Sequence, residues 1–318
     1  MIIICGTLRY FDHDHWLSLS YSSSHTSLPA SRRTSLLLLH VSVSRRQLLT
    51  LIDCRTRIAL DKSERQARTV SGLSLLLILG LTDLSYHRYN CGHLLEGALA
   101  HYKCFKNDHF LEPMIKYINL LCKVFGTGPG QIKGYPGHEE IELALLRLYR
   151  ITHDPEHLRL ARFFLDERGR HEGDGKQLYY ELEAKRRAET ALPPHLQLNN
   201  PLSYYQADKP LVEQTSVEGH SVRCMYLLTG AADLCIIEPK SKERYFPVLK
   251  RLWDNMVQKK MYLTGGIGAK AEFEGFGVDH WLPQSSDEGG CYAETCAAIG
   301  VIMLAERLLQ VSSYLVLS

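Results

Sequence analysis

The dipeptide Gly-His opens three separate runs of this chain, at Gly92-His93, Gly137-His138 and Gly219-His220. Apolar or small residues follow each at spacings of three and four: Leu94, Leu95 and Ala98; Ile141, Ala144, Leu145 and Leu148; Val222, Met225 and Tyr226. That spacing predicts helices. A fourth such run, from Ala293 through Cys296 to Met303, carries Glu294 where the others carry histidine. Polar residues at equivalent helix starts predict several helices pointing the same end at one place.

The stretches between these runs read as their return partners. Pro136 suits the first turn of a helix, with Glu139 and Glu140 toward its positive end and Arg147 and Arg150 toward its C-terminus. Asp154-Pro155-Glu156 is an N-cap followed by proline, and the run through Leu158, Ala161 and Leu165 stops near Gly169. Thr215-x-x-Glu218 has the spacing of a capping box, Gly230 suits the end of the helix it opens, and Phe246 to Val257 supplies the return. Strand-like alternation is scarce. Helical hairpins recurring about every 45 residues, with a longer loop interval near 170–210, are the unit of open solenoids and of closed α/α toroids. An open solenoid presents a concave partner-binding surface, whereas a closed toroid lines a pocket with helix starts. Histidines at three starts favour the pocket. Small residues (Gly97, Ala98 and Ala100; Ala297, Ala298 and Gly300) permit the close helix approach of an inner ring.

Composition sets outer bounds. A chain of 318 residues, 45% hydrophobic, can bury a sizeable core, and a formal charge of +2 gives no reason to expect nucleic acid or an anionic membrane. Nine cysteines without a C-x-x-C pair fit reduced thiols, hence an expected cytoplasmic location. The longest apolar run, Leu73 to Leu81, falls short of the roughly 20 residues that span a bilayer. The first residues lack the basic start and long apolar segment of a secretory signal. Residues 1–84 are rich in Ser, Leu and Arg and hold no steady period, so they are expected to pack poorly, to be disordered, or to be foreign to the functional protein. Residues 85–318 are expected to form the hairpin domain.

The chemical candidates each have a plainer alternative. His93, His138 and His220, taken singly, fit capping or solvated residues; taken together they favour one shared polar site. His138-Glu139 does not open a zinc-peptidase H-E-x-x-H motif, because position 142 is Glu. From Gly265 to Gly290 a glycine-rich loop carries Glu272, Glu274, Asp279, Asp287 and Glu288, with Phe276 and Trp281 as aromatic neighbours. Aromatics beside carboxylates suit the wall of a sugar pocket; the alternative is a solvated acidic loop. Glu294 and Cys296 are potential metal ligands, yet residues two apart face different ways on a regular helix, and no third or fourth ligand stands nearby in sequence.

Five segments in order, Gly134-Tyr-Pro-Gly-His-Glu-Glu-Ile-Glu-Leu-Ala-Leu145, Tyr205-Gln-Ala-Asp-Lys-Pro210, Glu213-Gln-Thr-x-x-x-Gly-His220, Met261-Tyr-Leu-Thr-Gly-Gly-Ile-Gly268 and Tyr292-Ala-Glu-Thr-Cys-Ala-Ala297, closely resemble the β-L-arabinofuranosidase family of glycoside hydrolases, glycoside hydrolase family 127. The resemblance covers roughly residues 89–310. It implies an all-α fold, an (α/α)6 barrel of helical hairpins, here incomplete. It also implies a retaining hydrolase acting on arabinofuranoside-type carbohydrate with a zinc-bound cysteine as nucleophile. On that basis Glu274 matches the general acid/base, Glu294 and Cys296 match two zinc ligands, and His93, His138 and His220 match sugar-contacting histidines.

The family's nucleophile and a neighbouring zinc-binding cysteine lie in a Cys-Cys motif beyond the segment matching Tyr292–Ala297. This sequence has no adjacent cysteines. The expectation is therefore a chain truncated and divergent at both ends, with a partial zinc site and no turnover alone. The alternative is a non-catalytic hairpin module that binds carbohydrate or a protein partner.

Overall fold

The computed structural model describes residues 84–172, 177–179, 182, 185, 201–285 and 290–313, and among these described residues seven α-helices alternate between two layers. They are α1 (Leu84–Phe105), α2 (Leu111–Val124), α3 (Ile141–Thr152), α4 (Pro155–Glu167), α5 (Ser221–Ile237), α6 (Pro239–Asn255) and α7 (Thr295–Ser313). The odd-numbered helices pack successively, α1 on α3, α3 on α5 and α5 on α7. Each of α2, α4 and α6 packs on the helix before it, and α2 also meets α4. This is the hairpin architecture that the sequence predicts.

Sequence pattern explains which helix goes inside. In α3 every residue from Ile141 to Leu146 is buried, as is Leu148, and in α5 burial is continuous from Leu227 to Cys235. A helix buried on all sides belongs in the core. By contrast α2 buries one stripe (Leu111, Met114, Ile118, Leu121, Cys122), as does α6 (Ser241, Tyr245, Val248, Leu249, Leu252). The Asp154 carboxylate accepts from Glu156 N–H at 2.9 Å and caps α4, with Pro155 in its first turn. Among the described residues between α4 and α5 lie a two-residue pairing, β1 (His171–Glu172) with β2 (Gln177–Leu178), and the short 3-10 turns Pro201–Tyr205 and Leu211–Glu213.

Several expected boundaries move. Gly92-His93 does not start a helix; it lies inside α1, which begins at Leu84. A Cβ on Gly92 would meet Glu140 Cγ at 2.6 Å and Ile141 N at 2.9 Å, so this glycine lets α1 touch the start of α3. Helix α3 begins at Ile141, three residues after His138, and Pro136 stands before it as a buried residue outside any helix. The capping box is not made: His220 is the N-cap of α5 without a side-chain cap bond, and Glu218 pairs with Lys260 Nζ at 2.8 Å. Gly230 lies within α5, and α6 already begins at Pro239.

Within α7, Thr295–Ser312 is long and apolar enough to cross a membrane by length and composition. One face of it packs along α5, where Arg307 Nε meets the buried Asp233 Oδ1 at 3.3 Å, while Ile302 and Leu309 stay exposed. The expectation for residues 1–84 falls outside the described residues except at Leu84, and that for Asp287 and Glu288 falls outside them too.

Candidate active site

The turn before α3 is built around a buried cation. Arg168, fully buried at the C-cap of α4, donates from Nη2 to Pro136 O at 2.7 Å and from Nη1 to Tyr205 O at 3.0 Å. It also meets Glu139 Oε1 at 3.0 Å and Glu142 Oε1 at 3.5 Å. Burial raises the Glu139 carboxyl to about 7 despite the charges of Arg168 and Arg223. This clamp holds the backbone on either side of His138. His138 Nδ1 lies 3.0 Å from Glu139 O. A carbonyl can only accept, so Nδ1 carries the hydrogen, and in the neutral ring Nε2 is the acceptor.

The start of α5 brings in the second histidine. Gly219 has φ +71°, and a Cβ there would lie 2.1 Å from Ser203 O, so the chain can enter α5 at this angle only with glycine. The glycine-rich loop docks on the same helix start. Phe276 N–H donates to Gly219 O at 2.9 Å, while Ser221 N–H and Oγ–H donate to Glu274 O at 3.0 and 2.8 Å. An orphan donor of the first helical turn is thereby satisfied by the loop. Glu274 takes φ +54°, and its half-exposed carboxylate places Oε2 2.9 Å from His220 Nε2. Phe276 is buried in the core cluster and is no sugar wall, a correction that follows from its docking against Gly219. Trp281 remains partly exposed, with Lys270 Nζ 5.6 Å from its ring centre.

The third approach comes from the start of α7. Cys291 and Ala293 have φ values of +68° and +37°, and their segment is held by Tyr292 N–H to Ala269 O (3.2 Å) and Ala293 N–H to Gly268 O (2.8 Å). This irregular backbone turns Tyr292 and Glu294 toward each other. The Tyr292 hydroxyl lies 3.1 Å from Glu274 Oε1 and 3.1 Å from Glu294 Oε2. A phenol has one proton, so it serves both contacts only when one carboxyl is itself protonated. Burial, followed by the Glu294 contact, raises the phenol, which stays neutral. Burial, together with the Glu274 charge, raises Glu294.

His93 and His138 flank Tyr226, and His220 stands beside His138. Ring centres of His93 and His138 lie 6.2 and 6.4 Å from that of Tyr226, and His138 and His220 are 6.3 Å apart. His93 Nδ1 pairs with the buried Glu140 Oε1 at 3.1 Å. His138 is lowered well below the ordinary imidazole value and His220 to about 4, in both cases by burial first and then by the Arg223 charge.

Glu294 precedes α7 and Cys296 lies in its first turn, both partly buried. The Cys296 thiol is raised by burial and by Glu294. No group of three or more His, Cys, Asp or Glu side chains able to hold a metal occurs among the described residues. Two donors fall short of the four that zinc takes, so the described residues do not fit a complete zinc site.

The sequence profile of the β-L-arabinofuranosidase GH127 catalytic domain matches residues 72–314. This chain belongs to the GH127 family. The non-reducing end β-L-arabinofuranosidase of Bifidobacterium longum subsp. longum is 33% identical over 229 residues, which are 72% of this chain and 33% of that protein. A crystal structure of a GH127 β-L-arabinofuranosidase from Geobacillus stearothermophilus T6 superposes with a TM-score of 0.64 at 37% identity, over 71% of this chain and 33% of that one. The GH127 β-arabinofuranosidase BT3674 gives 0.59 at 38% identity, over 73% and 31%. This chain thus spans about a third of the length of these relatives. The GH127 fold accounts for the alternating layers described above.

Sequence reasoning singled out the histidines and carboxylates but missed Tyr292, Tyr226, Arg168 and Arg223. Tyr292 had a signal, since it opens the segment that carries Glu294 and Cys296. A buried arginine beside a helix end had none.

Proposed function

We propose that this chain carries the sugar-binding and acid/base side of a retaining β-L-arabinofuranosidase-type site, and that the 318-residue chain alone does not complete turnover. The observation that carries this reading is the bridged constellation His220–Glu274–Tyr292–Glu294, with contacts of 2.9, 3.1 and 3.1 Å. A glycosidase acid must hold a proton for the leaving oxygen and later take one from water. Glu274 suits that role: its carboxyl is half-exposed, while one oxygen faces His220 and the other faces the phenol. His138, neutral and with Nε2 as acceptor, and His93 suit contacts to sugar hydroxyls. Zinc, as the family uses it, would supply a thiolate at neutral pH, and among the described residues Glu294 and Cys296 are the donors that match the family's. The family's Cys-Cys nucleophile motif does not occur within these 318 residues. The second reading is a sugar-binding module without catalysis, favoured by the gathering of His93, His138 and His220 beside two metal donors among the described residues.

The test is purified chain with an aryl β-L-arabinofuranoside, with and without zinc, alongside L-arabinose binding by saturation-transfer NMR. The expected outcome is binding without turnover. A version extended through a relative's Cys-Cys motif, with family-like N-terminal helices restored, should hydrolyse the substrate and lose that activity on Glu274→Gln. Zinc-dependent turnover by the 318-residue chain would refute the reading and point to another nucleophile. Cys291 would be the first suspect, because Cys91 and Cys224 are buried and their thiols raised by that burial.

A further inference from the structure

Arg223, in the first turn of α5, is 7% exposed. Its Nη1–H donates to Gly137 O at 3.0 Å, and its guanidinium lies 4.9 and 5.1 Å from the ring centres of Tyr204 and Tyr205. The charge is thus met by a carbonyl and two ring faces. Glu139, which feels that charge, makes its close contact with Arg168 instead. Gly137 immediately precedes His138. Tyr204 backs His220: its carbonyl accepts His220 N–H at 3.3 Å and its ring lies 5.7 Å from the imidazole. One guanidinium therefore connects both histidine-bearing segments, which are 86 residues apart at the Arg223–Gly137 bond.

We propose that Arg223 is the positioning residue of the histidine pair, tying the His138 turn to the start of α5 and holding the two rings in register for the hydroxyls of one sugar. The proposal rests on the sugar-site reading above. Arginine suits the task because its spread, weakly hydrated fork can donate to a carbonyl while its carbon lies over both rings, where a compact lysine ammonium lacks the fixed fork. The same cation discourages protonation nearby. His138 faces Arg223, His220 and His93, and His220 faces Arg223 and the Glu274 carboxylate; in both, Arg223 is the largest influence after burial. Neutral rings can accept a hydrogen bond from a hydroxyl, and doubly protonated ones cannot.

The experiment uses the full chain with Arg223→Lys and Arg223→Met, reading histidine titrations by NMR without sugar and L-arabinose affinity separately. In Arg223→Met the His138 and His220 midpoints should both rise. In Arg223→Lys, which keeps the charge, they should stay near the unsubstituted values. Sugar affinity should fall about tenfold in both variants, because the fork is lost. Unchanged midpoints in Arg223→Met, or undiminished affinity in Arg223→Lys, would overturn the proposal. If the unsubstituted chain binds no sugar, the sugar reading fails, and the titration arm still decides whether Arg223 acts on the histidines. Should Arg223→Met fail to fold, the affinity of Arg223→Lys decides.

Discussion

Gly92 and Gly97 lie on the same helix, yet the same substitution should move stability in opposite directions. Alanine inside a helix is favoured over glycine by about 0.8–1.0 kcal/mol. At position 97 nothing opposes this gain, since the new Cβ would meet only Phe110 Cε1 at 3.8 Å. At position 92 the Cβ would meet Glu140 Cγ at 2.6 Å and the Ile141 N and Cα at 2.9 and 3.0 Å. Two of these are backbone atoms at the start of α3 and cannot turn aside. Overpacking of this kind costs about 1–3 kcal/mol, and immovable neighbours put it near the upper end. Gly92→Ala should therefore lose about 2 kcal/mol net and Gly97→Ala gain up to about 1 kcal/mol. The difference corresponds to roughly 6–12 °C between the two melting temperatures. Urea titrations followed by circular dichroism would measure both variants. A Gly92→Ala protein as stable as Gly97→Ala would refute the close approach of α1 to α3, and with it the account of why the first Gly-His pair stands within a helix.

Further expectations concern single groups. Asp154→Ala removes the carboxylate that accepts from Glu156 N–H at 2.9 Å and should cost about 1 kcal/mol in the same titrations, with Asp154→Asn largely sparing it. Glu139 should make stability pH-dependent, because its carboxyl titrates near 7 in the folded chain against an ordinary 4.5. Between those values the folded state binds more protons than the unfolded, so stability falls as pH rises from about 4.5 to about 7 and then levels off. Glu139→Gln should flatten that window in a pH series of melts; an unchanged slope would assign it to another group.

The helical pattern was legible where residues repeat at three and four, as in Ile141–Leu148 and Val222–Tyr226, and where a cap is chemically distinctive, as at Asp154-Pro155. It was illegible where packing overrides local preference. Gly92-His93 reads as a helix start, yet it lies inside α1, where contact with α3 requires a residue without a side chain. Thr215-x-x-Glu218 reads as a cap, but the buried Lys260 ammonium takes the Glu218 carboxylate. In the candidate site, Glu294 was visible as a helix-start acid. Its contact with Tyr292 was not, since the rule that residues two apart face different ways assumes regular backbone, and Cys291 and Ala293 have positive φ.

The Gly137 carbonyl meets Arg223 across 86 residues, and the Ser221 hydroxyl meets Glu274 across 53. Such contacts close late, because loop entropy must be overcome before they return anything. As the chain leaves the ribosome, the α3–α4 hairpin can form from its own residues, with Arg168 already beside Glu139. The Gly137 carbonyl must wait for Arg223, and the His220 imidazole for Glu274. The chemistry thus assembles last, on a scaffold already standing. Premature termination anywhere before Tyr292 would give helical, collapsible fragments in which no two of Glu274, Tyr292 and Glu294 can meet.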